Sequence, residues 1–304
     1  MIGLIKEFIP LAAEKGLELV PAKVTQVLSE EELIKKLPEY DGWIIGDDPA
    51  TKQVFQSGRS GKLKAAVKWG IGIDNVDLAA CNELDIPITN TPMMFGAEVA
   101  DIALAYVIGL ARHIFFIDRE NHITENAWPK PAGISLAGKK IGVIGLGDIG
   151  KHLVKRLLAC DMLVTAYDPG VPIDDIKGIN RAIWPLQSNE MDFLVFTCSL
   201  NAFNRHMLNE TILRECKKGV YVVNVSRGPL INEAALISAL NTGQVAAAAL
   251  DVFEEEPLSN SSPLRKMPLN ILGAHNGSNT KDAVRRASLL AIDRMVEFLS
   301  KTNN

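Results

Sequence analysis

Gly145, Gly147 and Gly150 fall in the spacing G-x-G-x-x-G, inside the segment KKIGVIGLGDIGKHLVKRLLACDMLVTAYD that ends on Asp168. That spacing builds a phosphate cradle where a strand turns into a helix. Gly145 permits the tight turn, Gly147 lets the backbone approach a pyrophosphate, and Gly150 lets helix and strand pack closely. The helix start, with Asp148 and Ile149 in its first turn, offers N–H groups and a partial positive charge to the phosphates. Asp168 stands eighteen residues after Gly150. A carboxylate there can accept hydrogen bonds from ribose hydroxyls and repels a 2′-phosphate, so the pattern favours NAD over NADP. Glycines alone often only make turns, but here strand, glycines, helix, strand and acid occur in order.

A second set of candidates lies downstream. Arg227 stands in NVSRGP, Asp251 in ALDVF and His275 in LGAHNGSN, each just beyond a strand-like run. Ligands of an open parallel sheet bind outside the carboxyl ends of its strands, so all three are expected on one edge with the glycine loop. His275 sits in a Gly/Asn/Ser loop, where a proton donor can reach a ligand. His113, His152 and His206 lie in helix-like patterns and are read as structural. A surface arginine is the plainer reading of Arg227, set against its place between a buried strand and Gly228-Pro229. Glu254, Glu255 and Glu256 look like a solvated acidic turn, and the charge pattern does not say which of them is functional.

An alternating β/α chain must position these residues. Ile141–Ile144, Met162–Tyr167, Asp192–Cys198, Val220–Val225, Ala246–Phe253 and Asn270–Ala274 read as strands. Helical patterns near Ile149–Cys160, Asn209–Cys216 and Asn232–Asn241 separate them. Such alternation implies a mostly parallel sheet covered on both faces. The first ninety residues repeat the style, with strand candidates at Leu17–Ala22, Trp43–Ile45, Ala65–Trp69 and Ile86–Thr89. Leu4–Lys15 reads as a helix ahead of the first strand. Asp282–Leu299 has apolar residues at helical spacing and is expected to return to the first half.

The chain has 304 residues, 47% hydrophobic and 22% charged, with net charge −4. Length and composition suit about two globular domains. Without a clustered basic run, nucleic acid is not an expected partner. Cys81, Cys160, Cys198 and Cys216 form no C-x-x-C pair, so no metal site is expected and reduced thiols in a cytoplasmic protein are. No signal peptide is visible. The apolar run Ile102–Ala111, inside the helix-like segment Glu98–Ile117, is too short for a bilayer, which needs ~20 residues. It is expected to be buried, partly in a subunit interface.

Six segments taken together resemble the D-isomer-specific 2-hydroxyacid dehydrogenases. They are KWGIGIDNVDLAAC (68–81), NTPMMFGAEVADIALAYVIGLAR (90–112), GVIGLGDIG (142–150), VNVSRGPLINEAAL (223–236), ALDVFEEEP (249–257) and HNGSNT (275–280). The resemblance implies an NAD-dependent oxidoreductase interconverting a D-2-hydroxy acid and a 2-keto acid. It assigns Arg227, Glu256 and His275 as the catalytic set, since the family's Asp-x-x-x-x-Glu-Pro spacing selects Glu256. Gly70, Ile71 and Gly72 then bind the substrate carboxylate with Arg227. Asp251 resembles the residue that binds the nicotinamide carboxamide, and Cys198 and Val225 join the cofactor set. KWGIGID is similar to phosphoglycerate dehydrogenase-like members. The family also holds NAD(H)-sensing corepressors, which gives a competing, non-enzymatic reading. Two departures occur: Val99-Ala100-Asp101 replaces the usual Val-Ala-Glu, and Ala274-His275-Asn276-Gly277-Ser278 replaces Pro-His-Ile-Gly-Gly.

The resemblance also implies the architecture. Two doubly wound α/β domains are expected: a flavodoxin-like substrate domain from residues 1–89 and 279–304, and a Rossmann dinucleotide-binding domain over 90–278. Matching helices lie at a twofold axis in the family, which implies a homodimer. The family places a strand before a helix like Leu4–Lys15, so the small domain's sheet is expected to have an unfilled position near residue 1.

Overall fold

A computed structural model describes residues 2–24, 27–170 and 177–301, and the counts below are of those residues. The chain forms two compact units, one of Met1–Met94 with Asn279–Asn304 and one of Phe95–Ser278.

The first unit opens with a short 3₁₀ turn, Ile2–Leu4, that runs into α1 (Ile5–Ala13). The elements that follow are α2 (Glu30–Lys36), β1 (Gly42–Ile45), α3 (Lys52–Ser60), β2 (Ala65–Lys68), α4 (Leu78–Glu83) and β3 (Ile88–Asn90). Ser29 and Glu32 form a reciprocal capping box on α2, Thr51 caps α3 and Asp77 caps α4. The three strands pair in parallel in the order β1-β2-β3. Alternate side chains leave opposite faces of a strand. Accordingly Trp43, Ile45 and Ala66 join Leu33, Val54 and Phe55 in one core cluster. Ile44, Ala65 and Val67 pack with Ala291 and Met295 in another.

Leu17–Ala22 is not a strand. Leu17 and Leu19 alternate with exposed residues as a strand would, but they pack with Phe8, Ala12 and Ile292 and pair with no sheet edge. Alternation reports which side is buried; it does not supply a backbone partner. The described front of the chain therefore adds no strand to this sheet, and Met1 lies outside the described residues.

The second unit begins with α5 (Gly96–Arg112) and α6 (Ile114–Ile123), bent by 70° where His113 takes φ 55°. The single helix expected over Glu98–Ile117 is thus two. Phe115 folds back onto Gly109 so closely that a Cβ there would lie 2.5 Å from its ring. Then come β4 (Lys140–Ile144), α7 (Asp148–Ala159), β5 (Leu163–Tyr167), the short edge strand β6 (Asn180–Arg181), β7 (Phe193–Phe196), α8 (Glu210–Glu215), β8 (Val220–Asn224), α9 (Glu233–Asn241), β9 (Val245–Leu250) and β10 (Ile271–Leu272). All pair in parallel in the order β10-β9-β8-β7-β4-β5-β6. The order reverses between β4 and β7, and that switch point is where an open sheet of this kind binds its ligand. The last helix, α10 (Lys281–Lys301), belongs to the first unit and packs on β1 and β2, as its apolar spacing implies.

No single helix among the described residues is long and apolar enough to cross a membrane. The apolar α5 is a core helix. Val99, Ala103, Val107 and Leu110 are buried, and it lies against α7, β8 and β9.

Candidate active site

The glycine loop sits at the switch point. Gly145 has φ 101°, a conformation that glycine adopts without strain, and a Cβ there would be 2.5 Å from the Cys198 amide nitrogen. A Cβ at Gly150 would be 2.1 Å from the Gly145 carbonyl oxygen, so helix and strand touch. Nothing lies within 4 Å of a Cβ built on Gly147, which leaves the open approach a pyrophosphate needs. Gly147 is also the N-cap of α7 and has no side chain to occupy the first-turn amides. Thr197 completes the crevice: its hydroxyl donates to the Gly145 carbonyl at 2.7 Å.

Asp168 follows β5 and is held by two amides, Leu146 N to Oδ2 at 2.6 Å and Gly170 N to Oδ1 at 2.8 Å. The loop and the acid are thus tied into one corner at the switch point. Asp148 is placed differently from its neighbours. Its carboxylate lies against the start of α5, where a Cβ on Gly96 would be 2.3 Å from it. A negative charge there complements the amino end of α5. Ile149 is half-buried in the first turn of α7, and Val225, directly beyond β8, is buried. Cys198 follows β7, and burial pushes its thiol up to about 12.

The strand ends bring the polar set together within this unit. His275 Nδ1 lies 2.7 Å from Glu256 Oε2. Glu256 Oε1 accepts the Phe253 amide at 3.0 Å, which fixes the carboxylate plane. Burial alone would raise this carboxyl. The hydrogen bond and charge of His275, the Phe253 amide and the Arg227 charge together hold it below the ordinary carboxylate range. Arg227 sits at the start of a 3₁₀ turn, Gly228–Leu230. A Cβ on Gly228 would be 1.8 Å from the Phe253 carbonyl, so the Arg227 and Glu256 loops are in direct contact. Asp251 is buried beneath them. Gly70, Ile71 and Gly72 belong to the first unit, immediately after β2, with the Gly70 amide donating to buried Thr91.

Two residues that support the site escaped the sequence reading. Buried Asn224 ends β8. Its Nδ2 donates to the Arg227 carbonyl at 2.9 Å, its Oδ1 accepts from Ser226 N at 3.1 Å, and its carbonyl accepts from Asp251 N at 2.9 Å. Thr197 does the same work beside the glycine loop. The available signal was a polar residue closing an otherwise apolar strand, VYVVN and FLVFT. His206 was also misplaced: it lies in a turn at φ 54°, not in a helix. Its Nε2 is 2.9 Å from Glu254 Oε1, close enough for an ion pair but not aligned as a hydrogen bond. The acidic triplet is therefore divided, with Glu254 on His206 and Glu256 on His275. No group of three or more His, Cys, Asp or Glu able to hold a metal ion occurs among the described residues.

Comparison with known proteins agrees with this geometry. The D-isomer specific 2-hydroxyacid dehydrogenase, NAD binding domain, matches residues 104–277. The chain is 33% identical over 277 residues to hydroxypyruvate reductase of Thermotoga maritima, covering 90% of this chain and 89% of that one. It is 32% identical over 297 residues to D-3-phosphoglycerate dehydrogenase of Methanocaldococcus jannaschii, covering 93% of this chain and 54% of the relative, so it spans about half that protein's length. A solved structure from Thermus thermophilus superposes with a TM-score of 0.89 at 27% identity, covering 97% of this chain and 94% of that one. With a glycine loop, a ribose-side acid and an Arg, Glu and His at the strand ends of one sheet, the chain belongs to the D-isomer-specific 2-hydroxyacid dehydrogenase family.

Proposed function

We propose that this protein interconverts a D-2-hydroxy acid and a 2-keto acid using NAD(H), with a small hydroxypyruvate-like substrate, phosphorylated or not. The observation that carries the reading is the His275–Glu256 pair at 2.7 Å beside the Arg227 loop. A 2-keto acid has a carboxylate next to a ketone, and the planar fork of Arg227 can hold both. With Nδ1 committed to Glu256, proton exchange with the substrate oxygen falls to His275 Nε2. In reduction His275 gives its proton to the oxygen as the carbonyl carbon is reduced, and Glu256 steadies the charged ring before that transfer. In oxidation the same nitrogen takes the hydroxyl proton. Bound NAD(H) supplies the hydride chemistry, and the protein positions it.

Gly145, Gly147, Gly150 and Asp168 are the proposed cofactor cradle. NAD over NADP is supported by Asp168, whose carboxylate is pinned where a 2′-phosphate would meet a fixed negative charge. A homodimer pairing through the dinucleotide-binding units is proposed from the family likeness and from the exposed Ile114, Phe115 and Ile123 of α6.

The test is a panel of 2-keto acids, including glyoxylate, hydroxypyruvate and its phosphate ester, assayed with NADH and with NADPH. Turnover is expected with NADH, and Asp168→Ala should narrow the preference over NADPH. An unaltered protein with equal or better kcat/KM for NADPH would overturn the cofactor assignment. NADH binding without turnover of any member would favour the sensing role instead.

A further inference from the structure

Three successive amides of the loop that carries His275 converge on one residue. His275 N donates to the Asp251 carbonyl at 2.7 Å, Asn276 N to its Oδ1 at 3.2 Å and Gly277 N to its Oδ2 at 2.8 Å. Asp251 is 3% exposed, so these donors replace the water its carboxylate would otherwise keep. His275 itself has φ 52°, a conformation that a side-chain-bearing residue holds only when its surroundings impose it. The imposing element is Asp251.

Asp251 is in turn seated from behind. The Tyr106 hydroxyl, from α5, lies 3.4 Å from Asp251 Oδ1, long for such a bond but directed at the same oxygen that holds Asn276. Tyr106 is 8% exposed. Its burial and the adjacent Asp251 charge push the phenol above its ordinary range, so it keeps its proton and remains a donor. Gly273 permits the arrangement: a Cβ there would lie 2.2 Å from Asp251 Oδ1 and 2.5 Å from the Tyr106 oxygen. Phenol, carboxylate and strand end therefore interlock in one small volume.

We infer that Tyr106 is a positioning residue for His275, acting through Asp251 and the Gly273–Gly277 turn; the inference rests on the proposed role of His275 as proton donor. Tyr106 fixes Oδ1, the Asp251 carboxylate then presents both oxygens to the two amides, and the strained His275 is held where Glu256 can meet its Nδ1. Removing the phenol oxygen leaves Oδ1 short of a donor and lets the turn relax. The effect should fall on proton transfer and not on cofactor affinity.

Tyr106→Phe in the full chain tests this. The Kd for NADH and the KM for the best 2-keto acid should stay within about twofold. kcat should fall roughly fivefold, the effect of losing one long hydrogen bond to a carboxylate. The solvent isotope effect on kcat should rise as proton transfer becomes limiting, and hydrogen exchange at the amides of Asn276 and Gly277 should accelerate. A Kd for NADH loosened tenfold with kcat unchanged would mean that Tyr106 serves the carboxamide role the resemblance gives Asp251, not His275, and would overturn the inference. Unchanged amide exchange would overturn it as well. Should Tyr106→Phe fail to fold, the Asn276 and Gly277 amides of the unaltered protein decide the matter: they should resist exchange, and fast exchange at both would overturn the inference. If the unaltered protein turns over no 2-keto acid, the functional reading falls, while amide exchange in the cofactor-free protein still decides the Tyr106 role.

Discussion

The roles proposed for His275, Glu256 and Arg227 separate kinetically. His275→Ala should lower kcat by ~10²–10⁴-fold, the usual range for a lost general acid, with a smaller change in KM. Arg227→Ala should instead raise KM steeply, since it removes carboxylate clamping. Steady-state kinetics on the best substrate checks both, and a His275→Ala enzyme with full turnover would show that another group supplies the proton. These residues were legible to different degrees. Arg227 and His275 follow from their places after strand-like runs. Glu256 does not, because three consecutive glutamates look alike as charges; only the family spacing separates it, and the structure then gives Glu254 a partner of its own. Asn224 and Thr197 show in the sequence only as a polar residue closing an apolar strand, because each acts on backbone atoms that a side-chain pattern does not report.

At the scale of elements, acid sensitivity is expected from carboxylates at both ends of the large sheet's strands. At the edge where the strands begin, Asp192 accepts from Lys140 N at 2.9 Å and from Lys217 Nζ at 2.7 Å. Burial would raise its carboxyl, but Lys217 and the Lys140 amide hold it below the ordinary range. Glu256 is held low at the opposite edge. A depressed carboxyl contributes stability that is fully present above its unfolded pKa, about 4, and is lost as pH falls through the folded value. Urea midpoints should be flat above about pH 5 and fall below about pH 4. Asp192→Asn should flatten that fall, and an unchanged acid slope in the variant would assign it to other carboxylates. The strands and helices of this sheet were legible because buried parallel strands read as continuous apolar runs. The errors lie where local pattern and tertiary pairing part company. Leu17–Ala22 alternates without a partner strand, and the α5–α6 break depends on Phe115 packing on Gly109, which no periodicity shows.

For the whole molecule, the homodimer is the prediction most open to direct test. Sedimentation at micromolar concentration should give about twice 33.1 kDa. A clean species at that single mass would remove the dimer. The apolarity of α5, offered from sequence as a sign of an interface, is satisfied largely inside its own unit, so the exposed apolar side chains of α6 are the better place to probe. The partition into two units also sets an order of events during synthesis. Phe95–Ser278 is one continuous stretch, while the first unit needs α10, which is made after that whole stretch. Until α10 leaves the ribosome, Ala65 and Val67 lack Ala291 and Met295, and that face of the first unit's sheet stays wet. The unit translated first is thus the last to finish folding, and its early segment must wait for the whole dinucleotide-binding unit to be made. Released chains that end before Lys281 should be cut readily within residues 1–94 while 95–278 resists protease, and equal resistance of both stretches would contradict this order.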